Sequence, residues 1–526
     1  MDPIELSLFA SRIEAVCDEM GAALRRAAFS PNIRDRLDFS CAVFDAQGEL
    51  CAQAAHIPVH LGSMAYAMRG IVSRLDWRDG DMVVVNDPFL GGTHLPDVTL
   101  IAPLLLEGEL LGFVTNRAHH ANIGAHSPGS MPISRSLDEE GLVIPPTLLV
   151  QGGQVDQELL ARLAGGRSEA EGDFAAQVSA NLIALARLRE LVQALGAAGY
   201  RTALAALNDY AERLAHSALA AIPEGEYVFA DVLDDDGVGS RDITIAALVR
   251  VAAGKVVVDF SGTAAQVPGN VNCPLSVAAA AVYFVFRCLM PRETPACAGA
   301  FRAIHLDAPE GCLLNAQRPA AVAAGNVETS TRVVDVICGA LAQAIPDRMP
   351  AASHGSMNNV AMGARNNVAM GARNGAQDWD YYETIGGGMG AGALGGGLDA
   401  VQTHMTNTLN TPIEAMESAY PLRVTRYGVR HGSGGAGQRR GGDGIVREFE
   451  FLAPAQVTLL TERRRHAPWG LAGGSPGAAG ENCLNGAPLP GKASFSVDSG
   501  DRVTIATPGG GGWGELFHRR DAEIAE

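Results

Sequence analysis

A mixed α+β chain built from several lobes is what this sequence predicts, and three observations carry the expectation. Residues 3–29 set Leu6, Phe9, Ile13, Cys17, Met20 and Leu24 on one stripe at helical spacing. Short runs rich in Val, Ile, Leu and Phe face each other across tight turns, as antiparallel strands do. Between the strand-rich parts, residues 168–221 turn Ala/Leu-rich and fit two long helices. The chain divides accordingly into a hairpin-rich N-terminal lobe (1–160), a helical segment (161–222), a central α/β region (223–400) and a β-rich C-terminal lobe (401–526).

After the first helix, DFSCAVFD and ELCAQAAHIPVH flank Ala46-Gln47-Gly48 and read as a hairpin that sets Asp38 opposite Ala55 or His56. Pro58 argues against helix through HIPVH, which leaves His56 and His60 as contacts at the edge of a site. For His56 a structural role is favoured. A second hairpin joins Val98–Leu106 to Leu110–Thr115 across Glu107-Gly108-Glu109. A turn centred on Gly108 sets Leu106 opposite Leu110 and Asp97 opposite His119, at roughly 4.5–5.5 Å between Cα atoms. His94 joins them from a Gly-Gly-Thr turn, and neighbours on a strand point to opposite faces, so one of His119 and His120 faces the site and the other its back.

Two imidazoles and a carboxylate without a thiolate suit Mn, Fe or Zn in a site open to water or substrate. A polar strand end with surface histidines is the alternative. His126 sits on a Gly/Ser/Pro loop of the kind that covers sites. Tyr227 opens a strand-rich region with a hairpin at Ala-Gly-Lys. It is followed by the apolar helix SVAAAAVYFVFRCL and by the helix ETSTRVVDVICGALAQAI, capped at Thr329 or Ser330. The octapeptide Asn358–Arg365 recurs at once as Asn366–Arg373, a duplication expected in a tolerant loop or hairpin. IGGGMGAGALGGG (385–397) lacks the Gly-Lys-Ser/Thr ending of a phosphate-binding loop and reads as close backbone packing or a lid. The remaining strands alternate with Gly turns, and the last ten or so residues read as a frayed tail.

A net charge of −18 over 526 residues argues against nucleic-acid and anionic-membrane partners. Arg439-Arg440 and Arg463-Arg464-Arg465 are too short to change that and read as interface or solvated groups. No apolar run reaches the ~18 residues of a membrane span, and no leader pattern opens the chain. Nine cysteines without a CxxC pair read as reduced, in the cytoplasm; Cys41 and Cys51 lie in facing strands.

The strings NIRDRLDFSCAVFD, HIPVHLGSM, NDPFLGGTHLPDVTL, NRAHHANIG, VDFSGTAAQVPGNVN, RPAAVAAGNVETS, HMTNTLNTPIEAMESAYPLRV, GGAGQRRGGDGIVRE and TPGGGGWG together resemble the hydantoinase B/oxoprolinase family, in its order and over nearly the whole chain. The resemblance implies the metal-bearing subunit of an ATP-dependent hydantoinase, oxoprolinase or lactamase, or a related subunit of an acetone carboxylase. It implies His94, Asp97 and His119 as metal ligands and Asp38 as a fourth, where the residues alone also allow a turn-capping aspartate. It implies an A-type partner that holds ATP and Mg and phosphorylates the carbonyl oxygen, in a hetero-oligomer such as a heterotetramer. The metal then delivers hydroxide to the former carbonyl carbon, with His120 or His60 moving a proton. A non-catalytic scaffold with a structural metal is the further alternative. No GxSxG elbow points to a serine nucleophile.

Overall fold

The structure is a computed structural model that describes residues 1–54, 57–364 and 378–516. α1 (Pro3–Ala27) begins with a reciprocal cap: Asp2 accepts from the backbone N–H groups of Ile4 and Glu5, and the Glu5 side chain accepts from Asp2 N. Its predicted stripe is buried from Phe9 to Leu24. α2 (Pro31–Arg34) leads into β1 (Phe39–Asp45) and β2 (Leu50–Ala54), then α3 (Pro58–Val72), β3 (Met82–Val85), β4 (Asp97–Leu106), β5 (Glu109–His119), β6 (Thr147–Gln151) and β7 (Gln154–Val155). These seven strands form one antiparallel sheet in the order β2-β1-β5-β4-β3-β6-β7.

The pairing of Asp97 with His119 is the one expected from the sequence. The tip differs: a bulge between Leu104 and Leu105 pairs Leu105, not Leu106, with Leu110. The turn therefore has two residues, Glu107 and Gly108, both at positive φ, which matches the twist of the strands better than a longer loop. In the first hairpin Cys41 faces Ala54, so Cys41 and Cys51 are not paired and every cysteine is free. Asp38 precedes β1, and it is β5 that holds it, through His119 N–H donating to Asp38 O (3.0 Å). Ala55 and His56 lie outside the described residues.

Pro58 starts α3 instead of forbidding it. At the first helical position its missing N–H is one that the helix leaves unbonded anyway, and its fixed φ suits the turn. His60 thereby falls on the first turn of α3.

α4 (Gln157–Ala164) and α5 (Ser168–Leu219) follow. The latter is two helices joined without a loop, broken only at Gly196 (φ 70°, ψ 154°). β8 (Gly225–Asp235), β9 (Arg241–Ala252), β10 (Lys255–Asp259) and β11 (Ile304–Asp307) make a sheet in the order β11-β10-β9-β8, accompanied by α6 (Leu275–Leu289) and α7 (Ser330–Leu341). Neither Thr329 nor Ser330 caps α7. Gly325–Thr329 already forms a wide π turn continuous with the helix, and the two hydroxyls bond to Val271 O and Asn326 O.

The C-terminal part holds two sheets. One runs β13 (Trp379–Glu383), β12 (Asn359–Ala364), β16 (Ala455–Leu460), β19 (Lys492–Val497). The other joins β14 (Leu422–Arg430), β15 (Gly444–Phe451), β20 (Arg502–Ala506), β17 (Glu481–Leu484) and β18 (Ala487–Leu489), with α8 (Ile413–Ala419) alongside. The first octapeptide copy is thus no loop: residues 359–363 are buried in β12, between β13 and β16. The second copy and the tail from 517 lie outside the described residues. The Gly-rich segment packs backbone on backbone, since a Cβ at Gly388 or Gly390 would fall about 2 Å from the Gly442 or Ala351 carbonyl oxygen. Arg463 is buried and paired with Asp231 and Asp335, and Arg464 is half-buried and donates to Asn358 and Asn482, so neither is simply solvated.

Candidate metal centre

Asp97 opens β4, His119 ends β5 and His94 sits in the turn before them, so three donor side chains meet at one end of the N-terminal sheet. Asn86 pins that turn by donating to Leu95 O (2.8 Å). Each of the three residues offers one ligand atom, and these atoms lie within 4.8 Å of one another. All three are buried; His119 Nε2 has no hydrogen-bond partner, and His94 Nε2 and Asp97 Oδ1 meet only each other, 3.3 Å apart. Leaving such atoms bare costs about 1–3 kcal/mol each unless something binds them. A divalent ion fits this donor set, and its neighbours leave it little else to do.

The second atoms of these groups are all engaged. His94 Nδ1 donates to Ala323 O (3.1 Å), which puts the ring's bare nitrogen at Nε2. Asp97 Oδ2 accepts from Thr93 Oγ1 (2.6 Å) and Asn326 Nδ2 (3.3 Å), and His60 Nε2 stands 3.2 Å away, so only Oδ1 is offered. The His119 ring stacks on Tyr382 at 4.7 Å, and its Nδ1 lies 3.2 Å from Asn32 Nδ2. An ion on Nε2 puts the His119 proton on Nδ1 and requires Asn32 to present its oxygen there, away from Arg36 Nη1 (3.3 Å).

Burial works against an ionised Asp97, but the facing His60 and His94 outweigh it and hold the carboxyl well below its ordinary range. Burial, then the nearby His94, push His119 well below the usual imidazole range, which keeps it neutral as a ligand must be. Burial is the largest single influence on His94 and lowers it, but the charge and hydrogen bond of Asp97, the Ala323 carbonyl and Asp38 together raise it further, so the net direction is upward. Asp38 lines the same cavity with its carboxylate 3.7 Å from Arg36 and outside the three converging atoms; burial raises it, and Arg36 opposes.

A cavity of about 20 Å³, room for a water, adjoins the three ligands, and His60 lines it. His120 points to the other face of β5, where Nε2 meets Gln177 Oε1 (2.9 Å) and the ring packs on Phe174. Alternation along the strand thus removes His120 from the cavity, whereas His60 is part of its lining. His126 is exposed and no part of the lining.

Several lining residues carry no signal in the sequence. Asn326, Tyr382 and the Thr384/Thr406/Thr408 hydroxyls line the cavity. Glu140 Oε1 accepts from Val322 and Ala323 N–H (2.9 and 3.0 Å), fixing the carbonyl that orients His94. Burial pushes this carboxyl up to about 7. The strings NIRDR and AAGNVETS carry Asn32 and Asn326, but their side chains reach the site only through long-range folding.

Known proteins share this architecture. The chain is 39% identical to an uncharacterized protein of Methanocaldococcus jannaschii, over 99% of this chain and 92% of that one. It is 36% identical to 5-oxoprolinase 1 of Arabidopsis thaliana over 98% of its own length, which is 42% of that enzyme. A Pseudomonas protein named as the B-type component of a D-/L-hydantoinase is 31% identical over 100% of this chain and 92% of its own. The ATP-dependent caprolactamase of Pseudomonas jessenii superposes with a TM-score of 0.89 at 28% identity, covering 98% of this chain and 91% of that one. A nucleotide-free acetone carboxylase shares the fold, with a TM-score of 0.86 at 19% identity over 100% of this chain and 77% of that one. The sequence profile of hydantoinase B/oxoprolinase matches residues 2–516, and with these relatives it establishes that the chain belongs to the hydantoinase B/oxoprolinase family.

Proposed function

We propose that this chain is the metal-bearing subunit of an ATP-dependent cyclic amide hydrolase, opening a hydantoin, 5-oxoproline or lactam ring. The observation that carries this reading is the convergence of His94 Nε2, Asp97 Oδ1 and His119 Nε2, buried and with no hydrogen-bond partner outside the trio, beside a cavity. The donor set suits Mn, Zn or Fe. Bound there, such an ion supplies Lewis acidity and hydroxide at neutral pH. The adjoining cavity gives it an open side, which a closed structural site lacks.

The protein's own groups do the positioning. Thr93 and Asn326 occupy Asp97 Oδ2, so the carboxylate presents one oxygen in a fixed direction. Ala323 fixes the His94 ring, and Tyr382 fixes that of His119. His60 lines the cavity and is the group we assign to proton transfer, from the attacking water to the ring nitrogen as the C–N bond breaks; its Nε2 leaves Asp97 Oδ2 (3.2 Å) to do so. Asp38 assists from the cavity wall.

A resonance-stabilised amide needs activation first, and we assign that step to an A-type partner that binds ATP and Mg and phosphorylates the carbonyl oxygen. The match over about nine tenths of a separate hydantoinase B-type chain supports this, whereas the chain spans about two fifths of the 5-oxoprolinases it matches. We place the complex, a hetero-oligomer such as a heterotetramer, in the cytoplasm, where free cysteines stay reduced. Among the described residues no helix is long and apolar enough to cross a membrane.

The test is copurification with the A-type partner and a screen of cyclic amides with ATP. Ring opening requires both chains and ATP, and His60→Gln keeps its ion while losing turnover. Micromolar ATP binding by the isolated chain in calorimetry, or ring opening without ATP, contradicts the division of labour.

A further inference from the structure

Among the described residues five arginines are fully buried, and one of them has no acid to answer it. Arg36 meets Asp38 at 3.7 Å, Arg332 meets Glu462 at 3.3 Å, Arg447 meets Glu383 at 3.2 Å and Arg463 meets Asp231 at 2.7 Å. Arg117 is 1% exposed, and no described carboxylate pairs with it. Burial pulls its guanidinium down to about 10, with the charge of Asp97 opposing.

Arg117 has instead three neutral acceptors on three different elements. Nε donates to Thr99 Oγ1 (2.8 Å), Nη1 to Ser63 Oγ (2.7 Å) and Nη2 to Gly91 O (3.0 Å). Each acceptor leads to a residue of the metal centre. Thr99 lies two residues along β4 from Asp97, hence on the same face, and pairs with Arg117 as Asp97 pairs with His119. Gly91 opens the turn that runs through Thr93, whose hydroxyl holds Asp97 Oδ2, to His94. Ser63 bonds back to Val59 O (2.7 Å) and His60 O (3.0 Å), in the turn of α3 that carries His60.

The pairing of β4 with β5 fixes Asp97 against His119, and Arg117 is a side chain that ties the His94 turn and α3 to that pair. A planar guanidinium suits this, because it aims donors from three nitrogens in fixed directions, whereas a lysine has one nitrogen. The charge itself works against the site. A buried unpaired cation is costly, and it repels a divalent ion placed nearby, so what Arg117 gives the centre is geometry.

We propose that Arg117 is the positioning residue of the metal centre: through Thr99, Gly91 and Ser63 it locks Asp97, His94 and His60 into one frame, so that the donor atoms converge before an ion arrives. This deepens the reading of His94, Asp97 and His119 as ligands and rests on it.

The experiment titrates zinc into the purified full-length chain against a competing chelator, for the parent, Arg117→Lys, Arg117→Met, Thr99→Val and Thr99→Ser, with denaturant unfolding read in parallel. Both Arg117 variants weaken zinc binding about 10–100-fold per folded chain, the effect of losing an outer partner of the ligands. Thr99→Val, which cuts one arm, weakens it at least about threefold, and Thr99→Ser, which keeps the hydroxyl, restores it. In the reconstituted complex with ATP, Ser63→Ala lowers kcat about tenfold and leaves KM and zinc affinity in place, because it frees only the helix of His60. Zinc affinity in Arg117→Met equal to the parent's or tighter overturns the proposal and leaves Arg117 a purely structural residue, whatever the loss of stability. Full recovery in Arg117→Lys overturns it too, since charge alone would then suffice. If the Arg117 variants do not fold, the Thr99 pair decides, and Thr99→Val with the parent's affinity overturns the proposal. An unchanged kcat in Ser63→Ala overturns the link to His60. A parent chain that takes up neither zinc nor manganese overturns the metal reading itself, and a parent complex without turnover overturns the hydrolase reading, each recognisable as a separate failure.

Discussion

The Arg463 cluster and the His94–Asp97–His119 cluster both lie largely inside the protein, yet in the first each charge meets an opposite charge and in the second the donor atoms face one another. Arg463 Nη2 stands 2.7 Å from both Asp231 and Asp335, and Asp335 also takes His404 Nε2 at 2.9 Å. Next to it Glu462 pairs with Lys492 (2.7 Å) and Arg332 (3.3 Å). These charges come from β8, α7, the segment after β16 and β19, so the network ties the central region to the C-terminal sheet. Its acids and bases answer one another. In the other cluster the second atom of every side chain is engaged outside the trio, and the first atoms meet nothing but one another. A buried network whose charges answer one another holds structure together, whereas a cluster of donor atoms that converge on one point fits a cation.

The contrast breaks most severely at Arg463. Arg463→Met leaves Asp231 and Asp335 buried without their cation, at a cost of about 3–5 kcal/mol in denaturant unfolding, while metal content per folded chain stays at the parent value. Metal loss in step with the loss of stability would mean that the two clusters are one cooperative unit. Asp38→Ala weakens the ion by about 10–100-fold in a chelator competition, the effect of a supporting group. Unchanged affinity would reduce Asp38 to a turn aspartate.

A smaller effect tests the carboxyl next to the network. Burial, then the charge of Glu462, push Glu328 up to about 8 from its ordinary 4.5. The unfolded chain therefore releases this proton first as pH rises past about 4.5, and stability declines until about pH 8 and is flat above. Glu328→Gln removes that decline, so its Tm relative to the parent rises between about pH 5 and pH 8; a constant difference contradicts it. Least of all, deleting Asn366–Arg373 restores a single octapeptide copy and changes loop closure by only about 0.6 kcal/mol or less. A Tm drop of more than a few degrees, or loss of partner binding, shows the second copy to be packed.

The metal cluster is legible in the sequence because its key pairing is local: a short hairpin with a Gly turn sets Asp97 against His119, and alternation separates His119 from His120. The bulge at Leu104/Leu105 is not legible, yet it lies at the far end of the hairpin and leaves the site pair intact. His60 falls on a different element from the one the sequence suggests, because a proline that breaks a helix interior also starts a helix well, and Pro58 does the second. Asn326, Tyr382 and Thr406 arrive from hundreds of residues away, and Asn326 rides on a π turn that no periodicity announces. Arg463 reads as an interface or solvated residue in the sequence because charge runs usually are; only the fold supplies Asp231 and Asp335 to bury it.

The most direct test of the account is elemental analysis of the purified chain and of His94→Ala, Asp97→Ala and His119→Ala. The account predicts one divalent ion per parent chain and its loss in each of the three variants, with far-UV circular dichroism unchanged. Full occupancy in all three would contradict it.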